Sequence, residues 1–246
     1  MILFGVTDVG RHRRDNQDSY AFRQLGDEAA VLVVCDGMGG AQAGSVASTV
    51  AAETFTAAVE EQFAAGAPED DPGWWDDVLA TACDRANRQV YELSQTDPNY
   101  RGMGTTLVAA LVLPGESHVV NVGDSRCYLI DHEMIRQVTV DHSLVQLLVD
   151  RGEITVEEAR VHPRRNLITR ALGVDSEVEC DLLRVETGQG SRLLLCSDGL
   201  TNVLTDQILL QTSVLETEPE GLCRSLLRMT LEQGAPDNVT VVLAQL

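Results

Sequence analysis

Apolar runs that end at an aspartate constrain the fold of this chain more than any other feature of the sequence. Residues 31–40 read VLVVCDGMGG, and residues 193–199 read LLLCSDG, so an apolar run, an acid and a glycine occur together twice. Short apolar runs bounded by turn residues predict buried β-strands. A single Asp-Gly pair is by default a turn former. The repetition supports a second interpretation, in which aspartates at the ends of different strands lie together in one site.

The order of strand-like and helix-like segments predicts an α+β fold. Strands are predicted at residues 3–9, 19–23, 30–35, 105–113, 118–122, 127–130, 134–138, 192–198 and 238–246. Helices are predicted at residues 44–65, 75–94 and 219–234, and the stretch 142–173, with a capping box at Thr155 and Glu158, is helix-like. Because two long helices follow each other without a strand between them, we predict antiparallel sheets covered by helices rather than alternating βαβ units.

Charge and composition narrow the classes of partner. The 246 residues include 38 acids and 18 basic residues, for a net charge of −20. This balance argues against nucleic acid or an anionic membrane as a partner, since both attract positive charge. The sequence shows no membrane-length apolar run and no basic start typical of a signal peptide. Six cysteines without a Cys-x-x-Cys pair favour reduced thiols in a cytoplasmic protein and argue against zinc.

Aspartates next to apolar runs are candidate metal ligands. Each lies in a turn rich in Gly, Ser or Asn or just before an apolar segment, and the set is Asp18, Asp36, Asp124, Asp198 and Asp237. Carboxylates that are brought together repel each other unless they are protonated or bind a cation. Oxygen ligands without His or Cys suit Mg²⁺ or Mn²⁺, and a glycine after the acid lets a main-chain carbonyl approach as well. The pattern therefore indicates a polynuclear carboxylate metal site, which can activate water and hold phosphoryl oxygens.

A basic cluster precedes the first of these acids. Residues 11–14 read RHRR, four residues before Asp18. A phosphate dianion needs positive charge to enter a group of carboxylates, and an arginine fork binds it with two hydrogen bonds. The alternative is a solvated basic loop that pairs with surface acids, and the residues alone leave both interpretations open.

Six motifs together resemble a known family. In chain order they are RHRRDNQD (11–18), VVCDGMGG (33–40), GMGTT (102–106), VGDSRCY (122–128), LLCSDGL (194–200) and PDNVTVV (236–242). They resemble the metal-dependent protein phosphatases of the type 2C, or PPM, family, in its compact bacterial branch. The resemblance covers residues 1–246 as a single domain. It implies a four-layer α-β-β-α sandwich of two antiparallel sheets flanked by helices, with Mn²⁺ or Mg²⁺ at one edge.

The resemblance assigns roles to the acids at the centre of the motifs. Asp36 would bridge two metal ions, and the carbonyl of Gly37 would bind one of them. Asp198 and Asp237 would hold the other ion. Asp36, Asp198 and Asp237 are accordingly the expected catalytic centre.

The resemblance gives further residues supporting roles. Asp18 would act on a metal through water, and Asp124 would join Asp198 at a third, weaker ion. Arg13 would bind the phosphate, and Asn238 would support Asp237.

Residues 143–172 fall where the family has a variable flap subdomain. The arginines in this stretch are candidates for handling substrate, or they neutralise the acidic surface locally; they are Arg151, Arg160, Arg164, Arg165 and Arg170. Many family members have a histidine, a proposed general acid, where Met38 stands here. His142 is a candidate substitute for it, a structural histidine is the alternative, and a metal-bound water is our preferred proton donor.

Other phosphate-handling classes fit the sequence poorly. Gln42 stands where a dinucleotide-binding fingerprint needs glycine, and no Cys-x5-Arg loop is present. We expect a protein serine/threonine phosphatase that uses metal-activated water in one step. Its expected partners are phosphorylated Ser/Thr proteins and a bacterial Ser/Thr kinase, and we expect a monomer. The alternative is a catalytically silent phosphoprotein-binding module of the same fold, which would lack a core ligand.

Overall fold

The structure is a computed structural model, and it describes residues 1–40, 42–68, 71, 73–131 and 134–246. The strands in this part of the chain are β1 (Ile2–Asp8), β2 (Asp18–Gln24), β3 (Ala30–Met38), β4 (Gly104–Thr105), β5 (Leu107–Leu113), β6 (Glu116–Val122), β7 (Arg126–Asp131), β8 (Met134–Gln137), β9 (Asp181–Glu186), β10 (Arg192–Cys196) and β11 (Val239–Gln245). The helices are α1 (Ala43–Ala65), α2 (Trp74–Thr96), α3 (Leu144–Asp150), α4 (Val156–Val161), α5 (Asp198–Thr201), α6 (Asp206–Leu215) and α7 (Pro219–Glu232).

The strands form two antiparallel sheets. One sheet has the order β1-β11-β10-β7-β8, and the other has the order β2-β3-β5-β6-β9, with the short β4 beside β3. The predicted α+β class with antiparallel sheets is therefore confirmed. None of the helices in the described part of the chain is long and apolar enough to cross a membrane.

Three apolar cores lie between four layers. Leu32 and Val34 of β3 face the core between the sheets, whereas Val31 and Val33 face the core under α1 and α2. A third core lies between the other sheet and α6 and α7. Because alternate residues of a strand point to opposite faces, a strand between two cores must be apolar at every position. This explains the unbroken run VLVV and confirms the α-β-β-α arrangement.

Several predicted boundaries differ from the observed ones. The three long helices were predicted to within a residue or two, but the helix-like stretch 142–173 contains only α3 and α4, joined by turns. Gly152 has a φ of +68° and ends the first of these helices. The predicted capping box at Thr155 and Glu158 is present at the start of α4. Strand β9 and helices α5 and α6 were not predicted.

Candidate metal centre

The five candidate aspartates meet at one edge of the two sheets. Asp18 begins β2 and lies opposite Asp36 near the end of β3. Asp124 follows the end of β6, Asp198 follows the end of β10, and Asp237 precedes the start of β11. All but Asp18 line a cavity of about 220 Å³. Antiparallel pairing brings ends and beginnings of neighbouring strands to the same edge, so acids far apart in the chain become neighbours.

Asp18 is buried behind this cavity and connects the two sheets. Its side-chain Oδ2 accepts hydrogen bonds from the hydroxyls of Ser197 and Thr240, each at 2.7 Å. Its Oδ1 is buried and has no hydrogen-bond partner among the described residues. A buried carboxylate oxygen without a donor is unfavourable unless something else, such as water or a cation, satisfies it.

Hydrogen bonds between the Asp36 backbone and two threonines, Thr105 and Thr106, hold this residue at the cavity. Its N–H donates to the hydroxyl of Thr106 at 2.9 Å, and its carbonyl accepts from the Thr106 N–H at 2.9 Å. The hydroxyl of Thr105 donates to the same carbonyl at 2.9 Å. At Gly37 a Cβ would collide with the backbone carbonyl of Gly44 at the start of α1. Only glycine therefore fits between β3 and α1 at this position.

Asp198 begins the short helix α5, and Asn202 immediately follows it. Asp198 Oδ2 accepts a hydrogen bond from the Asn202 side chain at 2.8 Å, whereas Oδ1 is buried without a partner among the described residues. Asp198, which carries this second unpartnered oxygen, lines the same cavity.

Asp237 lies between an arginine and an asparagine. The guanidinium of Arg13 donates to Asp237 Oδ2 at 2.8 Å, and the N–H of Asn238 donates to Oδ1 at 2.9 Å. The Asn238 side chain donates to the carbonyls of Val9 and Asp15 at 2.9 and 3.1 Å and accepts from a backbone N–H at 2.9 Å. Asn238 thus fixes the turn that carries Asp237 against the loop that carries Arg13.

Burial and neighbouring charges oppose ionisation of Asp18, Asp36, Asp124 and Asp198 unless a cation is near. Burial, opposed by the two hydroxyl donors, raises the pKa of Asp18 to about 7, and burial together with the charge of Asp237 raises that of Asp198 to about 6. Burial and the neighbouring carboxylates raise the pKa values of Asp36 and Asp124 well above their usual range. A divalent cation would favour the ionised forms of all of these groups.

The donor set fits a hard divalent cation. Its acids offer carboxylate oxygens, two of which are buried without a donor, and among the described residues no histidine or cysteine lines the cavity. No group of three carboxylate, histidine or cysteine side chains in the described chain is preassembled around one point. Ions at this site would therefore also need main-chain carbonyl and water ligands.

The flap segment, residues 143–172, contributes residues other than the predicted arginines to the cavity. Asn166 and Ile168 line it, together with Met38. Arg160 and Arg165 line an adjacent cavity of about 560 Å³, which reaches Asp124 and Asp198 on its other side.

His142 lies outside both cavities and has partners at both ring nitrogens. Its Nδ1 accepts the N–H of Gly123 at 3.1 Å, and its Nε2 lies 3.2 Å from Asp181 Oδ2. These contacts support the structural interpretation of His142 rather than a role in proton transfer.

Sequence reasoning missed the hydroxyls that hold the acids. Ser197 and Thr240 donate hydrogen bonds to Asp18, and the Thr106 hydroxyl accepts one from the backbone N–H of Asp36. In the sequence Ser197 directly precedes Asp198, Thr240 lies two residues after the PDN motif, and Thr106 directly precedes the apolar run 107–113.

Comparisons with known proteins agree with this geometry. A profile of the family described as "Protein phosphatase 2C" matches residues 11–219. The chain is 38% identical over 251 residues to the serine/threonine phosphatase stp of Listeria monocytogenes, with 97% of this chain and 93% of that protein covered. It is 40% identical over 242 residues to the serine/threonine protein phosphatase PstP of Mycobacterium tuberculosis, with 97% of this chain and 43% of that protein covered.

Solved structures show the same likeness. The serine/threonine phosphatase Stp1 from Staphylococcus aureus superposes with a TM-score of 0.88 at 37% identity, over 99% of this chain and 94% of that chain. The catalytic domain of PstP in complex with two manganese ions superposes with a TM-score of 0.84 at 36% identity, over 99% of this chain and 97% of that one.

Proposed function

The chain belongs to the protein phosphatase 2C family, and we propose that its acid-lined cavity is where it hydrolyses phosphoserine and phosphothreonine esters of proteins. It is a metal-dependent protein serine/threonine phosphatase. Two observations support this placement of the site. Four carboxylates and one arginine line the cavity, and the buried Oδ1 atoms of Asp18 and Asp198 have no hydrogen-bond donor among the described residues. Carboxylates suit divalent cations, and the arginine suits the phosphate that the cations would help to hold.

Two cations, Mn²⁺ or Mg²⁺, are the proposed cofactors of the cavity. Asp36 would hold both ions, the Gly37 carbonyl would help to hold one of them, and Asp198 and Asp237 would hold the other. Bound there, divalent cations supply Lewis acidity and lower the pKa of water enough to give a nucleophile near neutral pH. Asp124 with Asp198 is the proposed place for a third ion.

The chain's own residues orient the site. Arg13 has a half-exposed side chain, and among the described residues its hydrogen-bond partner is Asp237. One edge of the guanidinium thus neutralises an acid while the remaining N–H groups can bind phosphate oxygens. The hydrogen bond to Asp237, together with the charge of that carboxylate, raises the pKa of Arg13, so the guanidinium stays charged. Asp18 accepts hydrogen bonds from two hydroxyls at Oδ2, and its Oδ1 is the proposed acceptor for water at the metal site.

The residues at the cavity wall favour attack by water in one step. Among the described residues that line the cavity there is no serine, cysteine or histidine. A phosphoenzyme formed on serine, cysteine or histidine would need one of these side chains at the wall, and serine or cysteine would also need a base beside it. We therefore propose water as the nucleophile and as the source of the leaving-group proton.

The single-domain organisation with a flap at residues 143–172 is part of the proposal. Two isolated bridges support it, since Ser143 pairs with Ile168 and Thr105 pairs with Leu172 at the base of the segment. The substrates are proposed to be targets of a bacterial Ser/Thr kinase, and the protein is proposed to act as a monomer. A silent binding module is not favoured, because the acids and Arg13 are all present at the cavity or directly behind it.

Phosphate release from a phosphothreonine peptide, with Mn²⁺ and then with excess chelator, tests this function. A phosphotyrosine peptide of the same sequence is the substrate control. Asp198→Asn should abolish release while the chain stays folded. Asp27→Asn, an exposed acid in the β2–β3 turn at the opposite end of the strands, should leave it unchanged. Release by the wild type that is unaffected by chelator would contradict the proposal.

A further inference from the structure

The turn between β6 and β7 carries Asp124 to a wall that the two cavities share. Asp124 is 9% exposed and lines both the cavity of about 220 Å³ and the adjacent cavity of about 560 Å³. It is followed by Ser125, whose hydroxyl lies 2.7 Å from the hydroxyl of Thr106. The Thr106 hydroxyl also accepts the backbone N–H of Asp36. One side of the turn is thus fixed to the strand end that carries a neighbouring acid.

His142 holds the other side of this turn through the backbone of Gly123. The N–H of Gly123 donates to His142 Nδ1 at 3.1 Å, and the carbonyl of Gly123 accepts the N–H of His142 at 2.9 Å. Both backbone polar groups of the residue directly before Asp124 therefore bind to one residue. Because His142 is buried, these hydrogen bonds form in a low-dielectric environment, where the loss of one partner is costly.

The other ring nitrogen of His142 determines which tautomer the ring adopts. Nδ1 can accept the N–H of Gly123 only if it carries no proton, so in the neutral ring Nε2 carries the proton. Asp181 is placed to accept it, since its Oδ2 lies 3.2 Å from Nε2. Arg170 donates to Asp181 Oδ1 at 2.8 Å and keeps this carboxylate beside the ring. Asp181 therefore favours the tautomer that leaves the lone pair of Nδ1 for the turn.

The base of the flap segment is attached to the same residue. The carbonyl of His142 accepts the N–H of Thr169 at 2.8 Å, and the next residue, Ser143, pairs with Ile168 in an isolated bridge. His142 thus connects the turn of Asp124, the base of the flap and the start of β9. The position of the turn relative to the flap therefore depends on the contacts of His142.

We propose that His142 is a positioning residue for Asp124. Its Nδ1 holds the N–H of Gly123 and thereby keeps the Asp124 carboxylate where it can hold, together with Asp198, the third and weaker of the proposed ions. This inference rests on the proposed function, which supplies the ions, but the hydrogen bond itself does not depend on them. Without that bond the carboxylate would bind a cation more weakly, because part of the binding free energy would be spent on ordering the turn.

Two substitutions separate the contacts of the ring. In His142→Asn the side-chain oxygen takes the place of Nδ1 and can accept the N–H of Gly123, whereas the contact to Asp181 is lost. In His142→Gln the side-chain amide can reach Asp181 but offers no acceptor at the position of Nδ1. Both variants keep the backbone hydrogen bond from residue 142 to the carbonyl of Gly123. A loss in His142→Gln that is absent from His142→Asn therefore belongs to the Nδ1 contact.

Amide hydrogen exchange of Gly123, followed by NMR in the metal-free full chain, is the first measurement. The Gly123 amide should exchange at least about fivefold faster in His142→Gln than in the wild type, and within about twofold of the wild type in His142→Asn. The amides of β10, in the other sheet, should exchange equally in all three chains. Equal exchange of the Gly123 amide in all three would overturn the positioning role. Where the variants fail to fold, the ring nitrogen shifts of the wild type decide, because a proton on Nδ1 of the neutral ring would exclude the bond to Gly123.

Titration of the same three chains with Mn²⁺ is the second measurement. The weakest ion of the wild type should bind about fivefold less tightly to His142→Gln and with unchanged affinity to His142→Asn. In a chain that already carries Asp124→Asn, His142→Gln should cause no further loss, since no carboxylate is left there to position. An equal loss in the Asn and Gln variants at position 142 would overturn the proposal, as would an additive loss in the Asp124→Asn chain.

The two measurements keep this inference distinguishable from the proposed function. A wild type that binds no third ion would overturn the role of His142 in ion binding, whereas the exchange rates would still report its hydrogen bond to Gly123. Absence of phosphatase activity under every condition would contradict the proposed function. If the weakest ion were nevertheless bound less tightly by His142→Gln alone, the positioning of Asp124 by His142 would stand.

Discussion

Replacing Thr240 by valine should weaken divalent-cation binding although no acid is changed. Thr240 is fully buried in β11, and its hydroxyl donates to Asp18 Oδ2 at 2.7 Å. Valine keeps the shape of the side chain and removes the donor. The ionised form of Asp18 is then less stable relative to the protonated form, and a proton competes better with a cation near it.

The size of the effect depends on the hydrogen bond that Asp18 loses and on the one that it keeps. A hydrogen bond to a charged group contributes about 1.5–3 kcal/mol. Ser197 still donates to Asp18 at 2.7 Å, so the lower end of that range applies. About 1.5 kcal/mol corresponds to a roughly tenfold weaker affinity for Mn²⁺. The substitution also removes the contact between the Thr240 and Thr7 hydroxyls at 2.7 Å, which lowers the stability of the chain but does not touch the acids.

Calorimetric titration with Mn²⁺ at one fixed pH measures the effect. Thr230→Val is the matched control, because Thr230 is also fully buried and its hydroxyl donates only to the carbonyl of Leu226 inside α7, at 2.9 Å. We expect the Kd of Thr240→Val to rise about tenfold and that of Thr230→Val to stay unchanged. Equal Mn²⁺ affinity of Thr240→Val and the wild type would refute the reasoning, as would an equal loss in both variants.

Three further substitutions test other parts of the site. Gly37→Ala should lower the free energy of unfolding by about 3 kcal/mol in urea denaturation, because its Cβ collides with the backbone at the start of α1; Gly40→Ala, where the added Cβ meets no atom, is the control. His142→Ala should leave unchanged the dependence of kcat on leaving-group pKa, measured with a series of aryl phosphates, because both ring nitrogens already have partners. Arg13→Ala should raise KM for the phosphothreonine peptide about tenfold in steady-state assays, since one charge-assisted contact to phosphate is lost.

Each of these predictions has an outcome that contradicts it. Equal stability of the Gly37 and Gly40 variants would show that α1 does not approach β3 as described. A loss of kcat in His142→Ala that grows with the leaving-group pKa would make His142 the proton donor. An unchanged KM in Arg13→Ala would place the phosphate elsewhere in the cavity.

The meeting of the acids at one sheet edge was easier to predict from the sequence than the elements around it. An acid at the end of an apolar run, as at Asp36 and Asp198, is a local pattern, and antiparallel pairing brings such ends to one edge. The partners of Asp18 were beyond sequence reasoning, because Ser197 and Thr240 reach it only through the stacking of one sheet on the other.

The unpredicted elements are those with weak local signals. Strand β9 is at the edge of its sheet, and its Leu182 is 39% exposed, so neither its apolar content nor its length distinguishes it from a loop. The flap was predicted to be helix-like along its whole length, whereas α3 and α4 carry no fully buried residue between them. A segment that buries so little is determined by turns and caps more than by an apolar face.

The central claim is that the strand-end aspartates hold two divalent cations together. The most direct measurement is the number of Mn²⁺ ions bound per chain, by equilibrium dialysis, in the wild type and in Asp36→Asn, with circular dichroism to establish that both chains are folded. Since Asp36 is the proposed bridge, the account predicts at least two ions on the wild type and loss of both from the variant. A folded Asp36→Asn chain that binds as many ions as the wild type would contradict it.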